Sequence, residues 1–323
     1  DKSPSYFLWC VIYYMFVKEN NKVAILIPCY NEASTVSSVI AQYKSFLPDA
    51  LVYVYDNNST DDTYRIAKES GAIVAREKYQ GKGNVIRRMF SDIEADVYLI
   101  VDGDMTYDPS VAQLMIDKLL DENLDMVICA RSEVSDSAYR SGHKLGNYFF
   151  SSAVGRIFGK RISDILTGYK VLSRRFVKTF PAHGNGFDIE HEFTVHSLEM
   201  KLPISEIITE YFPRPDGSES KLSTYKDGIK ILFSIFKLVF TEKPLVSFSF
   251  VALFLLSAGV AWGWYYVVYP WILTGTIIAF PSAILATGLI ILSFLIFFTG
   301  LVVQATKKHR KESFRYNYLR YKI

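Results

Sequence analysis

Apolar residues recur through the first part of the chain in runs of about five, set apart by helix-length amphipathic stretches, a pattern that predicts alternating strands and helices. The expected strands are Val23 to Ile27, Leu51 to Tyr55, Ile73 to Ala75, Val97 to Val101 and Met126 to Ala130. One helix is expected after Ser34 and another from Asp61 to Ser70, stopping at Gly71. A third opens at Asp108 and Pro109, where Asp caps the helix and Pro fills its first position. This alternation reads as an α/β domain around a parallel sheet, with no internal repeat.

The pattern changes near the end. From Leu245 to Thr306 there is no Asp, Glu, Lys, Arg or His, whereas one bilayer span needs only about 20 apolar residues. Two spans are expected, Val246 to Val268 and Ile277 to Val303, joined by a turn around Tyr269, Pro270, Trp271 and Gly275. Lys243 lies before this hairpin and the cluster Lys307, Lys308, His309, Arg310 and Lys311 after it, so both ends, and the large domain with them, are expected in the cytoplasm. Trp262, Trp264, Tyr265, Tyr266, Tyr269 and Trp271 crowd the far end, as aromatic side chains do at a membrane interface.

The expected organisation is an N-terminal apolar segment over 1–22, a catalytic domain over 23–227, an interfacial helix over 228–244, two transmembrane helices over 245–306 and a basic cytoplasmic tail over 307–323. In the interfacial segment Lys230, Ser234 and Lys237 fall at i, i+4 and i+7, one polar stripe on an apolar helix. The apolar stretch Tyr6 to Val17 is too short to span and carries no signal-peptide cleavage pattern. The chain opens on Asp1 rather than Met, and residues before it are expected.

Composition adds little to this. The net charge of +3 is accounted for by the topology-setting basic residues, so nucleic acid is not an expected partner. Cys10, Cys29 and Cys129 are few, odd in number and lack metal-ligand spacing, which implies no disulfide framework.

Ligands of open parallel sheets bind beyond the carboxyl ends of the strands, and here those ends are unusually polar. The first strand runs into Pro28-Cys29-Tyr30-Asn31-Glu32, the second into Asp56-Asn57-Asn58-Ser59-Thr60-Asp61-Asp62, and the fourth into Asp102-Gly103-Asp104. One such cluster alone reads as a helix cap; three at one edge read as a site. Asp102 and Asp104 can aim two carboxylates at one hard divalent cation shared with substrate phosphates.

These residues, with Gly81-Lys82-Gly83-Asn84, resemble the family 2 glycosyltransferases in order and spacing. Asp164-Ile165-Leu166-Thr167-Gly168-Tyr169-Lys170 and Glu219-Ser220-Lys221-Leu222 are similar to the branch containing dolichyl-phosphate mannose synthase and bacterial polyprenyl-phosphate glycosyltransferases. The resemblance covers about residues 23 to 240. It implies a Rossmann-like, nucleotide-sugar-binding domain of the GT-A type, followed by the interfacial helix and the two-helix hairpin.

Carried over, the resemblance implies that Pro28, Tyr30, Glu32 and Asp56 hold the nucleoside, with Asp56 on the base edge, and that Lys82 lies near the donor. Asp102 and Asp104 would bind the diphosphate through Mg²⁺ or Mn²⁺, while Arg131, Arg140 and Lys221 would hold donor or acceptor phosphates. Asp104 and Asp164 are the expected catalytic residues. The chain departs from the family's Asp-Asp pattern by carrying Asp56-Asn57-Asn58, which weakens any assignment of the base. It lacks the Gln-x-x-Arg-Trp motif of processive polysaccharide synthases.

The expected reaction is inverting transfer from a nucleotide sugar, UDP-linked by family prevalence, to a polyprenyl phosphate in the bilayer. An acceptor phosphate with a second pKa near 6 arrives largely dianionic and needs no general base. Two rivals stand beside this reading. A hydroxyl acceptor on a lipid-linked saccharide would require a base, with Asp164 or Glu190 nearest; a silent scaffold would not need the paired carboxylates. A flippase and a downstream transferase are expected partners, and a homo-oligomer is compatible. His191 and His196 are five apart rather than the four of a zinc-protease helix. Gly81-Lys82-Gly83 lacks the remainder of a P-loop. Asp188, Glu190 and Glu192 read equally as a solvated helix face and as acceptor-site lining.

Overall fold

The computed structural model describes residues 21–132, 151–152, 154–159, 162–182, 186, 189–215, 240, 243–277 and 279–321. Two compact units divide the chain, Asp1–Gly228 with Tyr316–Ile323, and Ile229–Arg315.

In the first unit seven strands form one sheet: β1 Val23–Cys29, β2 Leu51–Asp56, β3 Ile73–Arg76, β4 Val97–Ile100, β5 Met126–Arg131, β6 Lys170–Ser173 and β7 Ile204–Thr209. Their order is β3-β2-β1-β4-β6-β5-β7. The five expected strands are present, each within two residues of its expected ends. The sheet is mixed rather than wholly parallel, because β6 runs antiparallel between β4 and β5. That insertion starts β6 at the edge where β4 and β5 finish, pairing Lys170 with both Ile100 and Ile128.

The helices between strands are α1 Val36–Phe46, α2 Thr63–Glu69, α3 Lys82–Asp92, α4 Ala112–Asp121, α5 Arg174–Thr179 and α6 Ile189–Met200. Val36, Val39, Ile40 and Tyr43 of α1, and Ala112, Met115, Ile116 and Leu119 of α4, repeat at i, i+3, i+4 and i+7 and are buried. They pack with Ile25, Ile27, Val52, Val54, Leu99 and Val127 in one core, each large aliphatic side chain contributing roughly 1.5–3 kcal/mol of burial. Val85, Ile86 and Met89 of α3 are buried too, and all four residues of β4 are enclosed, as in a sheet covered on both faces. Asp108 Oδ1 accepts from the Ser110 amide at 2.9 Å, the expected cap, and a 3₁₀ turn at Pro109–Val111 leads into α4.

In the second unit α7 Pro244–Gly263 continues through a π-helical turn, Trp264–Val268, into α8 Tyr269–Thr274. Of the turn expected around Tyr269, Pro270, Trp271 and Gly275, the first three are therefore helical and only Gly275 lies at the reversal, after α8. Pro270 has no N–H to donate within the helix, and a π-turn directly before it is one way to absorb that loss. The helix ends at Gly275, whose φ of 71° favours glycine. α9 then runs Phe280–Tyr318 without interruption, so the basic stretch expected as a tail continues the helix.

Pro244–Thr274 and Phe280–Tyr318 have mean hydropathies of 2.1 and 2.5 and are candidate membrane spans. Besides Pro244 at the start of α7, small residues are what they bury: Ala252 and Gly259 on one, and Ala286, Ser293 and Gly300 on the other, at seven-residue intervals. Residues 1–20 of the expected N-terminal segment, and all but 240, 243 and 244 of the expected interfacial segment, lie outside the described residues, and Pro244 already belongs to α7.

Candidate active site

The carboxyl edge of the sheet collects the polar residues expected there. Asp56 ends β2 and is 1% exposed; its Oδ1 accepts from the Ser59 amide at 3.3 Å. Its Oδ2 has no hydrogen-bond partner among the described residues, with Arg76 Nε at 3.5 Å as a looser ion-pair contact. A buried carboxylate oxygen left this way keeps acceptor capacity that the described residues do not use. Asn57, where the family it resembles often has a second Asp, donates from its side chain to the Tyr79 carbonyl at 2.8 Å and accepts from the Gly81 amide at 2.7 Å. It thereby fixes the loop that delivers Lys82. Pro28 and Tyr30 are half-buried and Glu32 is buried, its amide donating to Thr63 Oγ1 at 2.9 Å.

Lys82, at the start of α3, forms ion pairs with Asp102 after β4 and with Glu190 on α6, the second at 2.6 Å. Burial works against the Lys82 ammonium, but Asp102 and Glu190 more than offset it and raise its pKa. Burial pushes the Glu190 carboxyl up while Lys82 opposes it.

Asp104 is 3% exposed, accepts from Thr106 Oγ1 at 2.6 Å and pairs with Arg214 Nη2 at 2.6 Å. Burial, and then the negative charge of Asp102, push its carboxyl up. Two carboxylates this close, one with its ionised form disfavoured, make a place where added positive charge is stabilising. An all-oxygen donor set suits Mg²⁺ or Mn²⁺. Among the described residues no group of three or more His, Cys, Asp or Glu could hold a metal alone; a cation held by Asp102 and Asp104 would need its remaining ligands from phosphate and water.

On the far side of the site Arg131, ending β5, grips Asp164 in bidentate fashion, Nε to Oδ2 at 2.5 Å and Nη2 to Oδ1 at 2.9 Å. Its guanidinium also lies 5.3 Å from the Tyr211 ring centre. The loop 164–169 closes on Asp102 and Lys82 at Gly168, where a Cβ would lie 2.8 Å from Asp102 Cγ and 3.0 Å from Lys82 Nζ. Only glycine permits that approach.

The structure thus unites Lys82, Asp102, Asp104, Arg131 and Asp164 at one edge, with Asp56 at the end of β2 on the same edge. Arg140, Asp188 and Lys221 lie outside the described residues. Arg214, Thr106, Tyr107 and Lys170 were not singled out in the sequence. Arg214 is one arginine in an irregular stretch after β7, and nothing local marks it; Lys170 stood within the quoted motif without a role.

The family model for glycosyl transferase family 2 matches residues 24–180. The glycosyltransferase AglJ of Haloferax volcanii is 34% identical over 252 residues, covering 77% of this chain and 82% of that protein. A dolichol-phosphate mannosyltransferase of Pyrococcus furiosus is 26% identical over 263 residues, covering 75% and 72%. In fold, the chain is similar to glucosyl-3-phosphoglycerate synthase from Mycobacterium tuberculosis, solved with Mn²⁺, UDP-glucose and phosphoglyceric acid, with a TM-score of 0.57 at 20% identity over 69% of this chain and 82% of that one. With a mixed α/β sheet of the GT-A type and these relatives, the chain belongs to glycosyl transferase family 2.

Proposed function

We propose that the protein transfers a sugar, with inversion, from a UDP-linked donor to a polyprenyl phosphate at the cytoplasmic membrane face. The observation that carries this reading is the pairing of Asp102 and Asp104 beside Lys82, Arg131 and Arg214 at one sheet edge. The relatives agree with it: one is a dolichol-phosphate mannosyltransferase, and the synthase of similar fold was solved with Mn²⁺ and UDP-glucose.

In this reading the unsatisfied Asp56 Oδ2 accepts from the base edge, and Pro28, Tyr30 and Glu32 line the nucleoside. Asp102 and Asp104 hold Mg²⁺ or Mn²⁺, which when bound offsets the charge growing on the departing diphosphate. Lys82 keeps Asp102 in place from the donor side. Arg131, with Arg140 and Lys221, steers the acceptor phosphate in line with the anomeric carbon. A phosphate oxygen then forms the new bond to that carbon as the bond to the nucleoside diphosphate breaks, and UDP leaves.

The commitments of the two candidate bases favour a phosphate acceptor over a hydroxyl. Asp164 spends both oxygens on Arg131, and Glu190 is bonded to Lys82. An acceptor that arrives ionised needs neither of them. The charge-free hairpin, with Lys243 before it and the Lys307 to Lys311 cluster after it, supports cytoplasmic placement.

The test is transfer of label from UDP- and GDP-sugars into an organic-extractable product by the purified full chain with polyprenyl phosphate and Mn²⁺ or Mg²⁺, with and without EDTA. A metal-dependent, acid-labile lipid product is expected. Donor binding with no lipid product from any sugar would move the reading to a hydroxyl acceptor.

A further inference from the structure

Two buried groups beside the site have no part in the reaction described above. Tyr107 is 6% exposed, its ring packed against Tyr169 and Tyr211 with centroids 5.3 Å and 5.4 Å away. Its hydroxyl accepts from the Gly168 amide at 2.8 Å and from Thr167 Oγ1 at 3.3 Å. Lys170 is 1% exposed, and its ammonium donates to the Thr167 carbonyl from beneath the same loop. The peptide joining Thr167 to Gly168 is therefore held at its carbonyl by one side chain and at its amide by another. Directly above it the bare Cα of Gly168 meets the Asp102 carboxylate, at a distance that leaves no room for a methyl group.

We infer that Tyr107 and Lys170 are positioning residues, which fix the Thr167–Gly168 peptide as the wall against which the Asp102 carboxylate takes its metal-binding orientation. The inference rests on the donor–metal reading of Asp102 given above. A carboxylate shared with a diphosphate has one useful direction, and Lys82 restrains it from one side only; without a fixed surface opposite, the side chain turns about its own torsions. Groups that orient a ligand from behind in this way typically change metal affinity about 10–100-fold when removed.

The charge on Lys170 suits the role. Burial lowers its pKa to about 8, with Glu190 on α6 and Asp164 holding it up and Lys82 on α3 and Arg131 on β5 pushing it down. It remains a cationic donor at neutral pH, strong enough to hold a carbonyl away from water. The Phe193 ring centre, 5.9 Å from its Nζ, supplies a further electrostatic contact.

The test is Mn²⁺ affinity in the presence of UDP, measured by electron paramagnetic resonance on the full chain for wild type, Tyr107→Phe and Lys170→Met. Each variant should bind Mn²⁺ about tenfold more weakly, bind UDP without metal as the wild type does, and recover transfer rate as Mn²⁺ is raised. Folded variants with wild-type Mn²⁺ affinity, or with a rate loss that Mn²⁺ does not relieve, would overturn the inference. Should Lys170→Met not fold, Tyr107→Phe, which deletes a single oxygen, carries the test alone. If UDP does not raise wild-type Mn²⁺ affinity and Asp104→Asn does not lower it, the donor–metal reading itself falls and takes this inference with it; that result is distinct from unchanged affinity in the two variants.

Discussion

Arg131 and Asp164, at the end of β5 and in the loop before β6, are joined through both oxygens of the carboxylate, and the carboxylate is 4% exposed. In the reaction proposed above, an aspartate held in this way braces the arginine. The rate of transfer should accordingly follow ionisation of the acceptor, rising through about pH 6 as the phosphate becomes dianionic. A pH–rate profile compared with that of a phosphonate acceptor checks this: the inflection should move with the acceptor's own pKa. An inflection indifferent to the acceptor would point to a protein base instead.

Breaking that pair should cost stability as well as activity. Arg131→Ala leaves the Asp164 carboxylate buried without its cation, and a loss of about 3–5 kcal/mol is the usual result of such a cut. Denaturant unfolding of the purified chain measures it. Asp164→Asn retains two hydrogen-bonding atoms and should lose less stability while lowering turnover, because Arg131 is no longer held towards the acceptor.

Asp104→Asn should reduce metal-dependent transfer at least 100-fold, the scale expected when a group stabilising developing charge is lost. The readout is label transfer across a Mn²⁺ series. Activity that survives at ordinary Mn²⁺ concentration would exclude Asp104 from the metal site.

Lys170 should leave a signature in the pH dependence of stability. Its folded pKa of about 8 lies below the ordinary lysine value of 10.5, so the unfolded chain binds more protons between those values. Stability should therefore rise with pH across that window as the buried charge is relieved. Melting curves from pH 8 to pH 10 should show an upward component in wild type that is missing in Lys170→Met.

The packing of the second unit can be tested in a matched pair. A Cβ at Gly300 would lie 2.7 Å from Phe248 Cβ, whereas one at Gly288 meets nothing within 4 Å. Gly300→Val should destabilise the hairpin by about 1–3 kcal/mol through overpacking, and Gly288→Ala should be close to neutral. Thermal unfolding in detergent distinguishes the two.

Much of this protein was legible in its sequence because the relevant physics is local. Apolar runs bounded by turn residues gave the five strands, the charge-free stretch gave the two long apolar helices, and the polar residues after each strand gave the site edge. The strands β6 and β7 were not legible. β6 has only four residues and begins on a lysine, and its identity as a strand depends on neighbours at Ile100 and Ile128. Of the turn expected around Tyr269, Pro270, Trp271 and Gly275, only Gly275 lies at the reversal, because the helix carries Pro270 after a π-turn.

The sequence by itself determined the class of fold, the apolar hairpin and the acidic pairs, since composition, periodicity and short spacing are properties of neighbouring residues. Only the tertiary structure decided that β6 runs antiparallel and so brings Asp164, Gly168 and Lys170 to the edge where Asp102 lies. It also decided that Arg214 faces Asp104 and that Asp164 is spent on Arg131. These contacts join residues 33 to more than 100 positions apart, and they form because buried charges must find partners wherever the folded chain presents them.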